Sequence, residues 1–87
     1  PLGPEPFAPT MAALHYGQSI FEGLKAYRLK DGSVGAFRAD LHATRFRKSA
    51  QRMTMADLPE EIFINCLKEY VNFVAANVPS EPGHSLY

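Results

Sequence analysis

A strand, a turn and a second strand constrain the fold of this chain more than any other feature. Residues 20–29 alternate imperfectly between apolar and charged side chains, as in a half-buried strand, and Gly23 interrupts the alternation where another group can approach the backbone closely. Asp31 and Gly32 follow, and Asp-Gly between two strand-like runs is the strongest short-range hairpin signal. The sequence therefore predicts a β-hairpin that turns at Asp31-Gly32 and returns along residues 34–38.

Two helices are predicted after this hairpin. Asp40 is a suitable N-cap, and apolar side chains near helical spacing after it predict a helix over residues 41–53. Pro59 followed by two glutamates is typical of a helix start, and apolar residues then recur at intervals of three and four as far as residue 77. Four prolines within residues 1–9 predict an extended lead-in without helix or sheet. The whole chain is therefore predicted to be one α+β domain.

Length, composition and charge bound the class of protein. A chain of 87 residues with 46% apolar composition folds as one small domain at most. Because so small a core buries little apolar surface, we expect the domain to rely on a partner surface. Its single cysteine, Cys66, excludes an internal disulfide and fits a cytoplasmic location, and no apolar run approaches the about 20 residues of a membrane span. Cys66 is expected to be a small buried hydrophobe on the second helix.

The charges are distributed unevenly. Residues 25–52 carry eight basic and two acidic side chains, so the middle of the chain favours an anionic ligand. No interleaved aromatics or nucleic-acid motif accompany these basic residues, and we therefore expect no nucleic-acid partner. No metal-ligand spacing is visible either, so no metal site is predicted.

The order of residues around the first predicted strand resembles the branched-chain amino-acid aminotransferases, which are pyridoxal-phosphate enzymes of fold type IV. The resemblance begins with the string HYGQSIFEGLKAY at residues 15–27 and continues in the same order through most of residues 36–53 and through residues 83–87. It implies a small domain with a β-hairpin and two helices, the first half of the fold type IV architecture. Residues 1–87 are then expected to be a truncated N-terminal small domain, with the larger domain absent.

The resemblance also implies a set of site residues. Arg45 matches the family arginine that contacts the cofactor phosphate, and we expect free backbone N–H groups at the start of its helix to assist. Tyr16, Phe21 and Tyr87 match residues that wall the substrate pocket, and Gly23 matches a point where the backbone passes close to the substrate. An apolar wall suits a branched aliphatic side chain. From spacing alone, Arg45 is also compatible with a solvated helix position, and the three aromatic residues with positions in the core.

The implied activity is transfer of the amino group of leucine, isoleucine or valine to 2-oxoglutarate through pyridoxal phosphate, in a cytoplasmic homodimer. None of the four lysines lies where the family places the Schiff-base lysine, so this chain is expected to contribute no catalytic residue and to be inactive alone. Two alternatives remain open. Another fold type IV enzyme, such as a D-amino-acid aminotransferase or aminodeoxychorismate lyase, would share the arginine, whereas a stand-alone non-catalytic interaction module would use exposed strand edges.

Overall fold

The computed structural model describes residues 3–87 and confirms an α+β domain with an antiparallel hairpin and two main helices. The helices are α1 (Ala12–Tyr16), α2 (Ala39–Arg52) and α3 (Glu60–Phe73), a short 3-10 helix spans Ala75–Asn77, and the strands are β1 (Ala26–Arg28) and β2 (Val34–Ala36). Residues 3–9 contain no helix or strand, as their prolines predict, whereas residues 1 and 2 lie outside the described part. No helix in residues 3–87 has the length and apolar character needed to cross a bilayer.

The hairpin turns where the sequence predicts. Strands β1 and β2 pair in antiparallel register from Ala26↔Ala36 to Arg28↔Val34. At the turn, Gly32 has a φ of +85°, a conformation that glycine adopts without strain. The Asp31 carboxylate accepts hydrogen bonds from the Ser33 backbone N–H at 3.0 Å and from its hydroxyl at 2.6 Å. The side chain of Asp31 thus closes the turn that Gly32 permits.

Both strands are shorter than predicted. Strand β2 ends at Ala36 rather than at residue 38, and β1 comprises only Ala26–Arg28, with residues 20–25 as irregular chain before it. Strand β1 has a second neighbour besides β2. Leu86, near the end of the chain, forms a single antiparallel bridge with Ala26 through hydrogen bonds of 2.8 and 3.0 Å. Strand β2 ends at Ala36, opposite Ala26. Residues 20–25 therefore have no strand of the hairpin to pair with and do not form regular sheet.

Helix α2 begins two residues earlier than predicted. Its N-cap is Arg38, in the left-handed conformation with a φ of 52°, so the prediction of Asp40 as N-cap is wrong. Asp40 lies in the first turn instead, where its carboxylate faces the positive end of the helix dipole and forms an ion pair with Arg38, with 3.3 Å between Nε and Oδ1. An acidic residue near a helix start thus stabilises it by charge rather than by capping a backbone N–H.

Helices α2 and α3 pack through a narrow apolar contact. Ala43 and Ala50 are the buried residues of α2, and the Phe46 ring lies 5.4 Å from the Phe63 ring of α3, measured between centroids. The tilted aromatic pair packs α2 against α3. The predicted burial of Cys66 is wrong, because it lies on the exposed side of α3.

The third helix is also shorter than its apolar pattern indicates. It ends at Phe73, and Ala75–Asn77 form a separate 3-10 turn before Val78. Arg28 of β1 donates hydrogen bonds to the carbonyls of Ala75, at 2.5 Å, and Val78, at 3.1 Å. These bonds connect the hairpin to the 3-10 turn that follows α3.

Few residues are fully buried within the domain. The buried hydrophobic residues in the described part are Ala26, Ala43, Ala50 and Val78, none of them large. Many large apolar side chains remain exposed, including Phe7, Phe37, Tyr70 and Phe73. Such an amount of exposed apolar side chain is unusual for a monomeric domain and is typical of surfaces that other parts of a protein cover.

Candidate functional site

A groove on the exposed side of α2 brings together most of the predicted site residues. Its volume is about 450 Å³, and it is lined by residues of α2, of the irregular chain before β1 and of the chain end: Phe21, Glu22, Gly23, Arg45, Ser49 and Tyr87. A second groove of about 410 Å³ shares part of this lining and adds the basic side chains of Lys48 and Arg52. Four of the five residues predicted from the sequence thus meet at one place, with further positive charge beside them.

Gly23 is required there by the position of Tyr87. The Leu86–Ala26 bridge carries the Tyr87 side chain over residues 22–24, and a Cβ atom added at Gly23 would lie 2.9 Å from Cζ of the Tyr87 ring and would overlap its hydroxyl. Only a residue without a side chain leaves room for the ring in this position. The close backbone approach predicted at Gly23 is therefore present, although the approaching group is the ring of Tyr87.

The aromatic walls of the groove are exposed rather than buried. Phe21 is 91% exposed and Tyr87 is 83% exposed, so neither side chain contributes to the core of this domain. Tyr16, at the end of α1, is 87% exposed and does not line either groove. The structure therefore places Phe21 and Tyr87 beside Arg45 but leaves Tyr16 apart from them.

Arg45 is held by a carboxylate that the sequence analysis did not single out. Its Nε donates a hydrogen bond of 2.7 Å to Oε2 of Glu22, and its Nη2 donates to Oε1. The Nδ1 atom of His42 lies 2.8 Å from the same Oε1, and because a carboxylate only accepts, His42 is the donor. We refer to Glu22, His42 and Arg45 as the Glu22 clamp.

The clamp strongly perturbs the pKa of Glu22. Hydrogen bonding from the Arg45 guanidinium is the largest cause, and it lowers the pKa of this carboxyl to about 2 despite the opposing effect of burial. The Glu22 side chain is only 4% exposed, whereas the side chain of Arg45 is 65% exposed. The pair therefore has a buried anionic side and an open cationic side, and both residues line the groove.

Arg45 lies two residues further from the start of its helix than the sequence predicts. Arg45 is the seventh residue of α2, which begins at Ala39, so it lies about 9 Å along the axis from the helix start. The free N–H groups of a helix belong to its first turn, whereas long helix side chains lean back toward that end. The expectation that backbone N–H groups assist Arg45 stays a prediction.

These residues fit an anionic ester group such as a phosphate. A guanidinium carries five N–H donors, and Glu22 takes one from Nε and one from Nη2. The Nδ1 atom of His42 lies 3.4 Å from Nη2, but as a donor to Glu22 it does not accept from Arg45, so the edge formed by Nη1 and the rest of Nη2 is left without an acceptor within residues 3–87. That edge also carries two parallel donors, the geometry that phosphate oxygens accept. The Ser49 hydroxyl, which lines the same groove, adds a donor.

A metal ion fits the described residues less well than a phosphate does. No group of three or more His, Cys, Asp or Glu side chains within residues 3–87 is arranged to hold one. The one carboxylate at the groove, Glu22, already accepts from Arg45 and His42.

Glu22 could have been found from the sequence by one signal. It is the only acidic residue in the string HYGQSIFEGLKAY, where it stands between Phe21 and Gly23. A carboxylate in a half-buried position needs a partner, and the partners here come from a helix more than 18 residues later in the chain. Sequence alone does not identify which of the basic residues fills that role.

Comparison with known proteins identifies the family of this chain. No family model matches the chain. Curated relatives do match it: the branched-chain-amino-acid aminotransferase of Mycolicibacterium smegmatis is 47% identical over 100% of this chain and 24% of that protein. The corresponding enzyme of Mycobacterium tuberculosis is 46% identical over 95% of the chain and 23% of its own length, and branched-chain-amino-acid transaminase 1 of Bacillus subtilis is 44% identical over 100% and 24%.

The chain thus spans about a quarter of the length of the curated relatives that it matches. The α+β architecture with its hairpin and two main helices is consistent with fold type IV, to which the resemblance in residues 15–27 also points. Identity of this level across nearly all of the chain is far above chance, and by its sequence the chain belongs to the branched-chain-amino-acid aminotransferase family.

Proposed function

We propose that this chain is the small domain of a pyridoxal-phosphate-dependent transaminase that moves the amino group of leucine, isoleucine or valine to 2-oxoglutarate. The observation that carries this proposal is the groove in which Phe21, Gly23 and Tyr87 lie beside the open edge of Arg45. An apolar wall next to an anion-binding guanidinium suits a ligand with a phosphate at one end and a branched aliphatic substrate held near it. The names of the curated relatives support the same substrate class.

Within this proposal, Arg45 holds the cofactor phosphate. Pyridoxal phosphate, when bound, supplies the electron sink that amino-group transfer requires. Arg45 contributes two parallel donors to the phosphate oxygens, and its side chain is 65% exposed, so a ligand in the groove can reach them. Lys48 and Arg52, which line the adjoining groove, add to the positive potential that attracts the anion.

The remaining site residues bind the amino acid. Phe21 and Tyr87 present rigid aromatic surfaces to the groove, and Gly23 keeps the backbone close to it. Such a wall recognises a branched aliphatic side chain through contact area and excludes water from the reacting atoms. The lysine that bonds to the cofactor belongs, in this proposal, to the rest of the enzyme, which corresponds to the three quarters of the relatives that the chain does not match.

Tyr16 supports an assembly larger than this domain. Its ring is 87% exposed at the end of α1 and apart from the groove, so it can contact a substrate only where another surface completes the site. The many exposed aromatic side chains support the same idea. We therefore propose that residues 1–87 form a small domain that packs on a larger one within a homodimer, and the single cysteine is compatible with a cytoplasmic enzyme.

The test is substitution of Arg45 in the full-length enzyme. In Arg45→Ala the phosphate loses a charge-assisted contact of about 1.5–3 kcal/mol, so the Kd for pyridoxal phosphate should rise roughly ten- to a hundredfold. Arg47 is the matched control: it lies on the same helix and forms a similar fork, with 2.7 Å from both Nε and Nη2 to the Asp57 carboxylate, but it lines neither of the two grooves. Unchanged affinity in Arg45→Ala, with loss in Arg47→Ala, would contradict the proposal.

A substrate panel separates the alternatives. The full-length enzyme should turn over L-leucine, L-isoleucine and L-valine, and Tyr87→Ala should raise KM for these amino acids while cofactor affinity stays within about threefold. Preference for D-amino acids or for aminodeoxychorismate would instead identify another fold type IV enzyme. A full-length protein without transaminase activity and without cofactor binding would favour a non-catalytic interaction module.

A further inference from the structure

We propose that Glu22 is a positioning residue for the cofactor phosphate: it fixes the guanidinium of Arg45 so that the free edge points into the groove. The inference rests on the proposed function, because it assumes that Arg45 binds the phosphate. It adds a residue that does not itself contact the ligand, and it assigns a role to the one acidic side chain of the groove lining.

The exposure of the two side chains is the first argument. Arg45 has a long, flexible side chain that is 65% exposed, and the hydrogen bonds it forms within residues 3–87 are those of the clamp. An unrestrained arginine would have to give up rotamer freedom each time it bound a phosphate, which weakens binding. Glu22 removes that freedom in advance, because a two-point contact through Nε and Nη2 sets both the place and the plane of the guanidinium.

Glu22 is itself held firmly enough to serve as a support. Its side chain is 4% exposed, and its Oε1 accepts hydrogen bonds from His42 at 2.8 Å and from the Gly23 backbone N–H at 3.2 Å, in addition to Arg45. Both carboxylate oxygens are therefore engaged from several directions, by α2 and by the chain before β1. A group fixed in this way transfers its position to the residue it contacts.

Glu22 has two opposite effects on phosphate binding: it positions Arg45, and its negative charge repels the phosphate. A carboxylate repels a phosphate, so its removal could strengthen binding by Coulomb attraction alone. The Glu22 side chain, however, is only 4% exposed whereas the Arg45 side chain is 65% exposed, so an anion in the groove has far more of the guanidinium than of the carboxylate within reach. Lys48 and Arg52 also leave the surroundings positive after Glu22 has neutralised one charge. Positioning therefore outweighs repulsion.

A second ion pair on α2 provides the control for this argument. Arg47 donates from Nε and Nη2 to the Asp57 carboxylate, with 2.7 Å for each bond, so its geometry resembles the contact between Arg45 and Glu22. Neither Arg47 nor Asp57 lines the two grooves at Arg45. Asp57→Asn therefore removes a fork of the same kind from the same helix without touching the proposed phosphate site.

The experiment is a double-mutant cycle in the full-length protein, read by equilibrium titration with pyridoxal phosphate and, separately, with pyridoxal, which lacks the phosphate. Glu22→Gln should weaken binding of pyridoxal phosphate about tenfold and leave binding of pyridoxal unchanged. In an Arg45→Ala background, the same Glu22→Gln change should have no further weakening effect. Asp57→Asn should bind both compounds like the parent protein.

A shorter carboxylate separates position from charge. Glu22→Asp keeps the negative charge but withdraws it by one methylene, so it should also weaken binding of pyridoxal phosphate and not of pyridoxal. This variant also keeps the inference testable if Glu22→Gln does not fold. Tighter binding in Glu22→Gln would show that repulsion dominates and would overturn the inference, as would equal weakening of both compounds or a full effect of Glu22→Gln in the Arg45→Ala background.

The cycle distinguishes the two proposals from each other. If Arg45→Ala weakens binding of pyridoxal phosphate but Glu22→Gln and Glu22→Asp do not, Glu22 has no positioning role and the phosphate assignment stands. If Arg45→Ala has no effect on the preference for pyridoxal phosphate over pyridoxal, the phosphate assignment fails and the positioning role fails with it.

Discussion

Acid should destabilise this protein through Glu22. The clamp holds the pKa of the Glu22 carboxyl to about 2 in the folded chain, below the ordinary value of 4.5 that applies to the unfolded chain. A group whose pKa is lowered by folding stabilises the folded state when it is ionised, so the contribution is complete above pH 4.5. It is lost as the pH falls from 4.5 toward 2, because protons then bind the unfolded chain first.

The structure sets the size of this effect. The difference between the two pKa values corresponds to a ceiling of about 3 kcal/mol in the free energy of unfolding at neutral pH. The Arg45 side chain is 65% exposed, so solvent screens the pair and reduces the contribution. We expect about 1–2 kcal/mol, more than an ordinary surface ion pair provides.

The measurement is urea unfolding of the 87-residue chain and of Glu22→Gln at pH 7 and at pH 2. Glutamine has nearly the shape of the protonated acid, so the variant should be less stable by about 1–2 kcal/mol at pH 7 and almost equal in stability to the parent at pH 2. Titration of the Glu22 carboxyl carbon by NMR should give a midpoint near the value of about 2. A midpoint near 4.5, or a stability difference that does not change with pH, would refute the reasoning.

Three further predictions concern other parts of the chain. Gly23→Ala should displace the exposed Tyr87 ring and raise KM for the amino acid in the full-length enzyme, with less than about 1 kcal/mol lost in urea unfolding. Gly32→Ala should destabilise the chain by about 1 kcal/mol in the same assay, because its φ is +85°. With so many large apolar side chains exposed, the isolated chain should self-associate, and a monodisperse folded monomer in light scattering would count against this.

Local sequence signals were enough for the elements of the fold. Asp31 and Gly32 specified the turn because their preferences are properties of the residues themselves, and the structure has the turn there. The helical spacing of apolar residues likewise predicted α2 and α3, although their ends were less well defined. The start of α2 was misplaced because Asp40 is favourable both as an N-cap and as a first-turn residue, and spacing does not distinguish the two.

The residues of the groove were singled out in part, and Glu22, which the sequence analysis missed, depends on contacts distant in sequence. Phe21, Gly23 and Arg45 were singled out because their order resembles a known family, and the structure places them in one groove. Cys66 was predicted to be buried, but it is exposed. Helical spacing shows which residues lie on the same side of α3, but it does not show how many of them the neighbouring elements cover.

Sequence by itself thus determined the turn, the two main helices and the family, each of which depends on neighbouring residues or on their order. Only the tertiary structure decided which charged groups meet. Glu22 and Arg45 are 23 positions apart, and their pairing depends on how the chain before β1 passes across α2. A buried carboxylate accepts any nearby donor, so its partner is selected by packing, which the order of residues does not reveal.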